Sequence, residues 1–100
     1  LDNVNTNRYN SPVVSRKLTI KNAKGLHARP SAKLVKAANK FDADIYITKG
    51  GQTINGKSIM SVMQLAAANG EEITVKAVGP DADEAVKSIS YLVKSKFFEE

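Results

Sequence analysis

The chain's single histidine, His27, stands in the stretch Gly25-Leu26-His27-Ala28-Arg29-Pro30, with an imidazole and a guanidinium two residues apart. Neutral imidazole offers a nitrogen lone pair, and histidine is among the side chains that form covalent intermediates in group transfer. A phosphoryl group accepted there would add roughly −1.5 to −2 units of charge, which a nearby arginine can offset through charge-assisted hydrogen bonds. Gly25 supplies a tight turn, and Pro30 is tolerated in the first turn of a helix because the N–H it lacks has no intrahelical partner there. The spacing therefore predicts a helix with His27 at or next to its N-cap, beside unpaired backbone N–H groups and the positive end of the helix dipole, where anions bind. A solitary histidine is by itself more often structural than reactive. Its place at a helix start beside Arg29 favours phosphoryl chemistry.

No second general acid or base accompanies His27 in a recognisable motif. No metal or cofactor is expected, so activation is expected to come from outside the domain, which is then read as a relay rather than an independent catalyst.

The elements that must position His27 follow from hydrophobic periodicity. Val14, Leu18 and Ile20 share one parity while Ser15, Lys17 and Thr19 share the other, a strand over 13–20 with one buried face. In the helix after His27, an apolar stripe of Ala28, Ala32, Val35 and Ala38, widened by Leu34, runs beside a basic line of Arg29, Lys33, Lys36 and Lys40. Ile45-Tyr46-Ile47-Thr48 alternates as a second strand, Lys49-Gly50-Gly51-Gln52 is a hairpin signal, and Thr53-Ile54-Asn55 is a short return strand at a sheet edge. Ser58 is the natural N-cap of a short helix in which Ile59, Val62, Met63 and Ala66 recur, ending near Asn69-Gly70. Met60 falls off that stripe and is expected to be exposed. Glu72 to Val78 alternates as a strand, and Ala82, Ala85, Val86, Ile89, Leu92 and Val93 mark a last amphipathic helix with Asp81, Asp83 and Glu84 at its start. The order β-α-β-β-α-β-α predicts an α+β fold, an open-faced β-sandwich: a four-stranded antiparallel sheet with three helices on one face.

One hundred residues suffice for one domain with one modest core. Residues 1–12, with four asparagines and no apolar periodicity, read as a flexible N-terminal extension, and residues 13–100 as the domain. The absence of cysteine excludes disulfides and thiolate metal sites and agrees with a cytoplasmic location. No secretory signal is expected, since the first residues lack a charged start and an apolar centre, and no apolar run is long enough for a membrane span. A net charge of +5 would permit nucleic-acid binding. The basic residues are not, however, interleaved with stacking aromatics, which leaves a small basic nucleic-acid-binding domain as a remote alternative.

The Gly25–Pro30 motif, the stretch Asn55-Gly56-Lys57-Ser58-Ile59-Met60-Ser61-Val62-Met63 and the order of elements together resemble HPr, the histidine-containing phosphocarrier of the bacterial phosphotransferase system. The resemblance covers residues 13 to about 95. It implies that His27 takes phosphate on Nδ1 from enzyme I, itself charged by phosphoenolpyruvate, and passes it to an enzyme IIA in sugar uptake. It implies that Arg29 assists the transfer and that Ser58 is a regulatory serine modified by an HPr kinase/phosphorylase. It makes Ile59, Met60 and Met63 an apolar docking patch, and Lys33 and Lys36 fit the basic rim beside it. A protein that alternates between partners through one face is expected to work as a monomer, without nucleic acid or membrane insertion. A nitrogen-related regulatory paralogue is the alternative within the family.

Overall fold

The computed structural model describes residues 11–99. Four strands, β1 (Val13–Thr19), β2 (Asp44–Lys49), β3 (Gln52–Asn55) and β4 (Glu72–Val78), form one antiparallel sheet in the order β1-β4-β2-β3. Three helices, α1 (Ala28–Ala38), α2 (Ile59–Leu65) and α3 (Ala82–Lys94), are followed by a short 3-10 turn at Lys96–Phe98. This is the predicted open-faced β-sandwich. For the extension expected over 1–12, residues 1–10 lie outside the described residues; the Pro12 carbonyl accepts a hydrogen bond from Gly79 N–H at 3.0 Å.

The sheet's alternation is what makes it one-sided. β4 lies at its centre, with Val75 in register with Arg16 on β1 and Ile47 on β2. Leu18, Ile45, Ile47, Ile73, Val75 and Ala77 turn to the helical side and are buried, while Lys17, Tyr46, Glu72 and Lys76 are exposed. α3 packs on β1 and β4 and α1 packs against α2 and α3, so the helices enclose a single core. The predicted edge strand is confirmed as β3, paired through Tyr46–Lys49 only with β2.

Helix faces depart from prediction in two places. In α1 the buried residues are Pro30, Ser31, Leu34 and Ala38, whereas Ala28 and Ala32 are exposed. Ser31 occupies an interior position because its hydroxyl donates to the Leu26 carbonyl at 3.0 Å, which satisfies the buried oxygen. The seven-residue α2 buries Val62 and Leu65 and leaves Ile59 and Met63 at 40% and 42% exposure, since two turns lying on a sheet can cover only one row of side chains. It also ends before Asn69-Gly70, at Ala66, whose φ of 53° is left-handed.

Asp81, predicted as a dipole-complementing acid at the start of α3, has a more specific job. Its carboxylate accepts the N–H groups of Asp42 and Ala43, both at 2.8 Å, and pins the start of β2 to the start of α3. The Asp42 N–H bond is the main reason its carboxyl titrates below the ordinary range, against a smaller opposing effect of burial. The folded pKa is the depressed one, so this stabilisation is present above the unfolded value near pH 4 and is lost as pH falls through the folded value. Denaturant unfolding between about pH 2 and pH 6 should therefore show a shallower acid-side loss of stability in Asp81→Asn than in the wild type.

Candidate functional site

His27 is the N-cap of α1, as its sequence neighbourhood requires. Three contacts set its position. Gly25 has φ +66°, and a β-carbon there would strike the Ala67 carbonyl and the Ala68 backbone, so glycine is needed both for conformation and for space. Leu26 N–H donates to the Ala67 carbonyl at 2.8 Å, tying the turn before His27 to the segment that follows α2. The Asn22 amide donates to the Gly25 carbonyl at 2.7 Å and closes the turn from the other side.

The imidazole does not cap its own helix. Its Nε2 lies 3.2 Å from Oε1 of Glu99, whose other oxygen is 3.9 Å from Nε of Arg29. The His27 side chain is 38% exposed and that of Arg29 is 76% exposed, whereas that of Glu99 is only 13% exposed. The imidazole thus lies between two crevices. Ala23, Lys24, Arg29 and Glu99 border one, which is polar; Lys24, Leu26, Ala28, Met63 and Ala66–Ala68 border the other, which is mainly apolar.

The remaining residues singled out in the sequence fall at different distances from the imidazole. Met63 shares the apolar crevice with His27, and Ile59 and Met60 lie exposed nearer the start of α2, Met60 at 68%. Lys33 is drawn inward and donates to the Phe97 carbonyl at 2.6 Å, whereas Lys36 is exposed and borders a groove with Lys40 and Tyr91. Ser58 caps α2 as predicted, its hydroxyl accepting from Ser61 N–H at 3.3 Å. It belongs to the other end of the helix pair, because Asn39, the C-cap of α1, donates to the carbonyl of the adjacent Lys57. The 11 residues of α1 span roughly 16 Å, so Ser58 lies near the end of that helix opposite His27.

Glu99 is the site residue that sequence reading missed. An acid in a pair at the chain's end carries no periodicity and belongs to no motif, and 72 positions separate it from His27. Among the described residues no cluster of three or more His, Cys, Asp or Glu side chains is arranged to hold a metal ion, and no helix is long and apolar enough to cross a membrane.

An open-faced β-sandwich that presents a histidine at a helix start, with a guanidinium beside it, is a scaffold suited to carrying an anionic group rather than enclosing a substrate. Comparison with known proteins gives the same answer more narrowly. Residues 14–95 match the family model described as PTS HPr component phosphorylation site. Phosphocarrier protein HPr of Cupriavidus necator is 40% identical over 87 residues, covering 87% of this chain and 98% of the relative. HPr-like protein Crh of Bacillus subtilis is 38% identical over 84 residues, or 84% of this chain and 99% of the relative. Among solved structures, HPr-C-His from Thermoanaerobacter tengcongensis superposes with a TM-score of 0.84 at 41% identity, covering 87% of this chain and 98% of that one. The chain belongs to the HPr family of phosphotransferase-system components.

Proposed function

We propose that the protein is a cytoplasmic, monomeric phosphocarrier that receives a phosphoryl group on Nδ1 of His27 from enzyme I and delivers it to an enzyme IIA in sugar uptake. The observation that carries this reading is the half-exposed imidazole at the N-cap of α1, free of any capping bond and next to Arg29. In the charging step the Nδ1 lone pair attacks phosphorus, and the bond from phosphorus to the donor nitrogen breaks with its electron pair returning to the donor. Discharge is the same displacement with the roles exchanged. Helix N–H groups and Arg29 offset the charge that arrives. Binding must remain moderate, since a carrier that held phosphate too tightly could not release it. No side chain here serves as a separate catalyst; partner docking supplies alignment. Incubation with enzyme I and phosphoenolpyruvate should place one acid-labile phosphate on the peptide containing His27, and a labelled protein without phosphohistidine would refute the assignment.

Docking uses the exposed Ile59, Met60 and Met63 with a basic rim of Arg29 and Lys36. Lys33 belongs to that rim through its position, although its ammonium is engaged by Phe97. The partners then present acidic surfaces. Raising salt from about 50 to 500 mM should slow association with enzyme I at least severalfold, and a salt-independent on-rate measured by stopped flow would remove the basic rim from the interface.

Ser58 is the proposed target of an HPr kinase/phosphorylase. A phosphate at a helix start is electrostatically favourable and leaves α2 folded, while it sets negative charge beside Ile59 and Met60. It lies by the C-cap end of α1 rather than by His27, and so acts on docking rather than on the imidazole. Ser58→Ala should lose kinase-dependent phosphate incorporation and, through loss of the cap, about 1 kcal/mol of stability; equal labelling of both proteins would place the modified residue elsewhere.

A further inference from the structure

We infer that Glu99 is a positioning residue for the phosphoryl-accepting histidine: it holds the proton of His27 on Nε2 and thereby keeps the Nδ1 lone pair as the nucleophile. The inference rests on the phosphocarrier reading for its purpose, though not for its chemistry. An ionised carboxylate can only accept hydrogen bonds, so the ring nitrogen that faces Glu99 Oε1 at 3.2 Å must carry a hydrogen. In neutral imidazole only one nitrogen is protonated, which leaves Nδ1 bare. The Arg29 guanidinium lies 3.9 Å from the second oxygen, which is buried with no hydrogen-bond partner among the described residues. Among the described residues, the ring and the guanidinium are the groups that face Glu99.

The backbone goes to unusual lengths to bring the carboxylate back. Lys96, Phe97 and Phe98 all have positive φ, at 55°, 56° and 58°, a region that side chains other than glycine rarely adopt. Phe97 is fully buried in the core, and its carbonyl receives the Lys33 ammonium. The left-handed turn is thus locked from below and from α1, and the residue that follows it is the one beside His27. Strain that surrounding structure maintains in this way tends to accompany functional positions.

The same contact serves both directions of transfer. When Nδ1 forms its bond to phosphorus, Nε2 keeps its proton and the ring becomes cationic, with Glu99 as its counter-charge. When the phosphoryl group moves on, the Nδ1–P bond breaks, the electron pair returns to Nδ1, and neutral imidazole leaves with its Nε2 proton in place. No proton needs to enter or depart at either step.

The test is the site of chemical phosphorylation, which requires no partner protein. Phosphoramidate donates its phosphoryl group to an imidazole nitrogen and releases ammonia, so the product reports which nitrogen is available. In nitrogen-15-labelled wild-type protein, phosphorus–nitrogen couplings should place the phosphate on Nδ1 of His27 alone. In Glu99→Ala the share on Nε2 should rise severalfold, while Glu99→Gln, which keeps an acceptor oxygen, should retain most of the Nδ1 preference. Substantial Nε2 phosphorylation of the wild type, or the same isomer ratio in wild type and Glu99→Ala, would overturn the role of Glu99. Failure of enzyme I to label His27 would instead remove the phosphocarrier reading and leave the isomer measurement intact.

Discussion

His27→Ala is expected to abolish phosphate incorporation from phosphoenolpyruvate in the presence of enzyme I, by at least three orders of magnitude, with the fold unchanged. The size of the loss follows from the proposed covalent chemistry, in which the imidazole is the acceptor itself and alanine offers no nucleophile in its place. The fold should survive because the side chain makes no cap bond and sits at the surface. Removing it costs only its contact with Glu99, within about 1 kcal/mol. Circular dichroism and thermal unfolding provide the control. Arg29→Ala separates neutralisation from bond formation, because on the proposed reading the exposed guanidinium would contribute charge-assisted hydrogen bonds of about 1.5–3 kcal/mol to the phosphorylated state. Transfer should slow by roughly one to two orders of magnitude while His27 remains the labelled residue. Undiminished labelling of His27→Ala, or transfer of the label to another residue, would show that the carrier nitrogen lies elsewhere.

Phe97→Ala should be the most destabilising of the proposed substitutions, at about 3–5 kcal/mol. Phe97 is the largest of the fully buried side chains and closes the core just beyond the end of α3. Domains of this size have a total stability of about 5–15 kcal/mol, so the variant would retain a narrow margin and melt at least 10 °C lower. A second consequence separates it from an ordinary cavity. Left-handed backbone costs about 1–2 kcal/mol per residue, and burial of Phe97 offsets part of that cost across Lys96–Phe98. Without the ring the turn should relax, and Glu99 should leave His27 before the sheet unfolds. Amide exchange should accelerate at residues 96–99 well beyond the increase in β4. A melting temperature within about 2 °C of the wild type would contradict the assigned burial.

Local sequence was enough to specify the sheet and the helix starts, and to set His27 at one of those starts. The signals concerned are local: alternation in Glu72–Val78, Pro30 in a first turn, and Ser58 before an apolar run each act through backbone geometry within a few residues. The exposure of Met60 was legible for the same reason, as a break in a short period. Which face of α1 is interior was not, because Ser31 becomes a core residue only when the Leu26 carbonyl is folded against it. Nor did periodicity show the exposure of Ile59 and Met63, which only the resemblance implied and which depends on how few rows a two-turn helix can bury on a sheet.

The active turn divides along the same line. Gly25, His27, Arg29 and Pro30 could be read from their types and spacing, since a strand-to-helix turn is set by neighbouring residues. The segment after α3 could not. Its left-handed turn is unfavourable locally and exists because Phe97 fills the core and Lys33 holds its carbonyl. Only tertiary packing sets those conditions, and with them the carboxylate of Glu99 against the one imidazole in the chain.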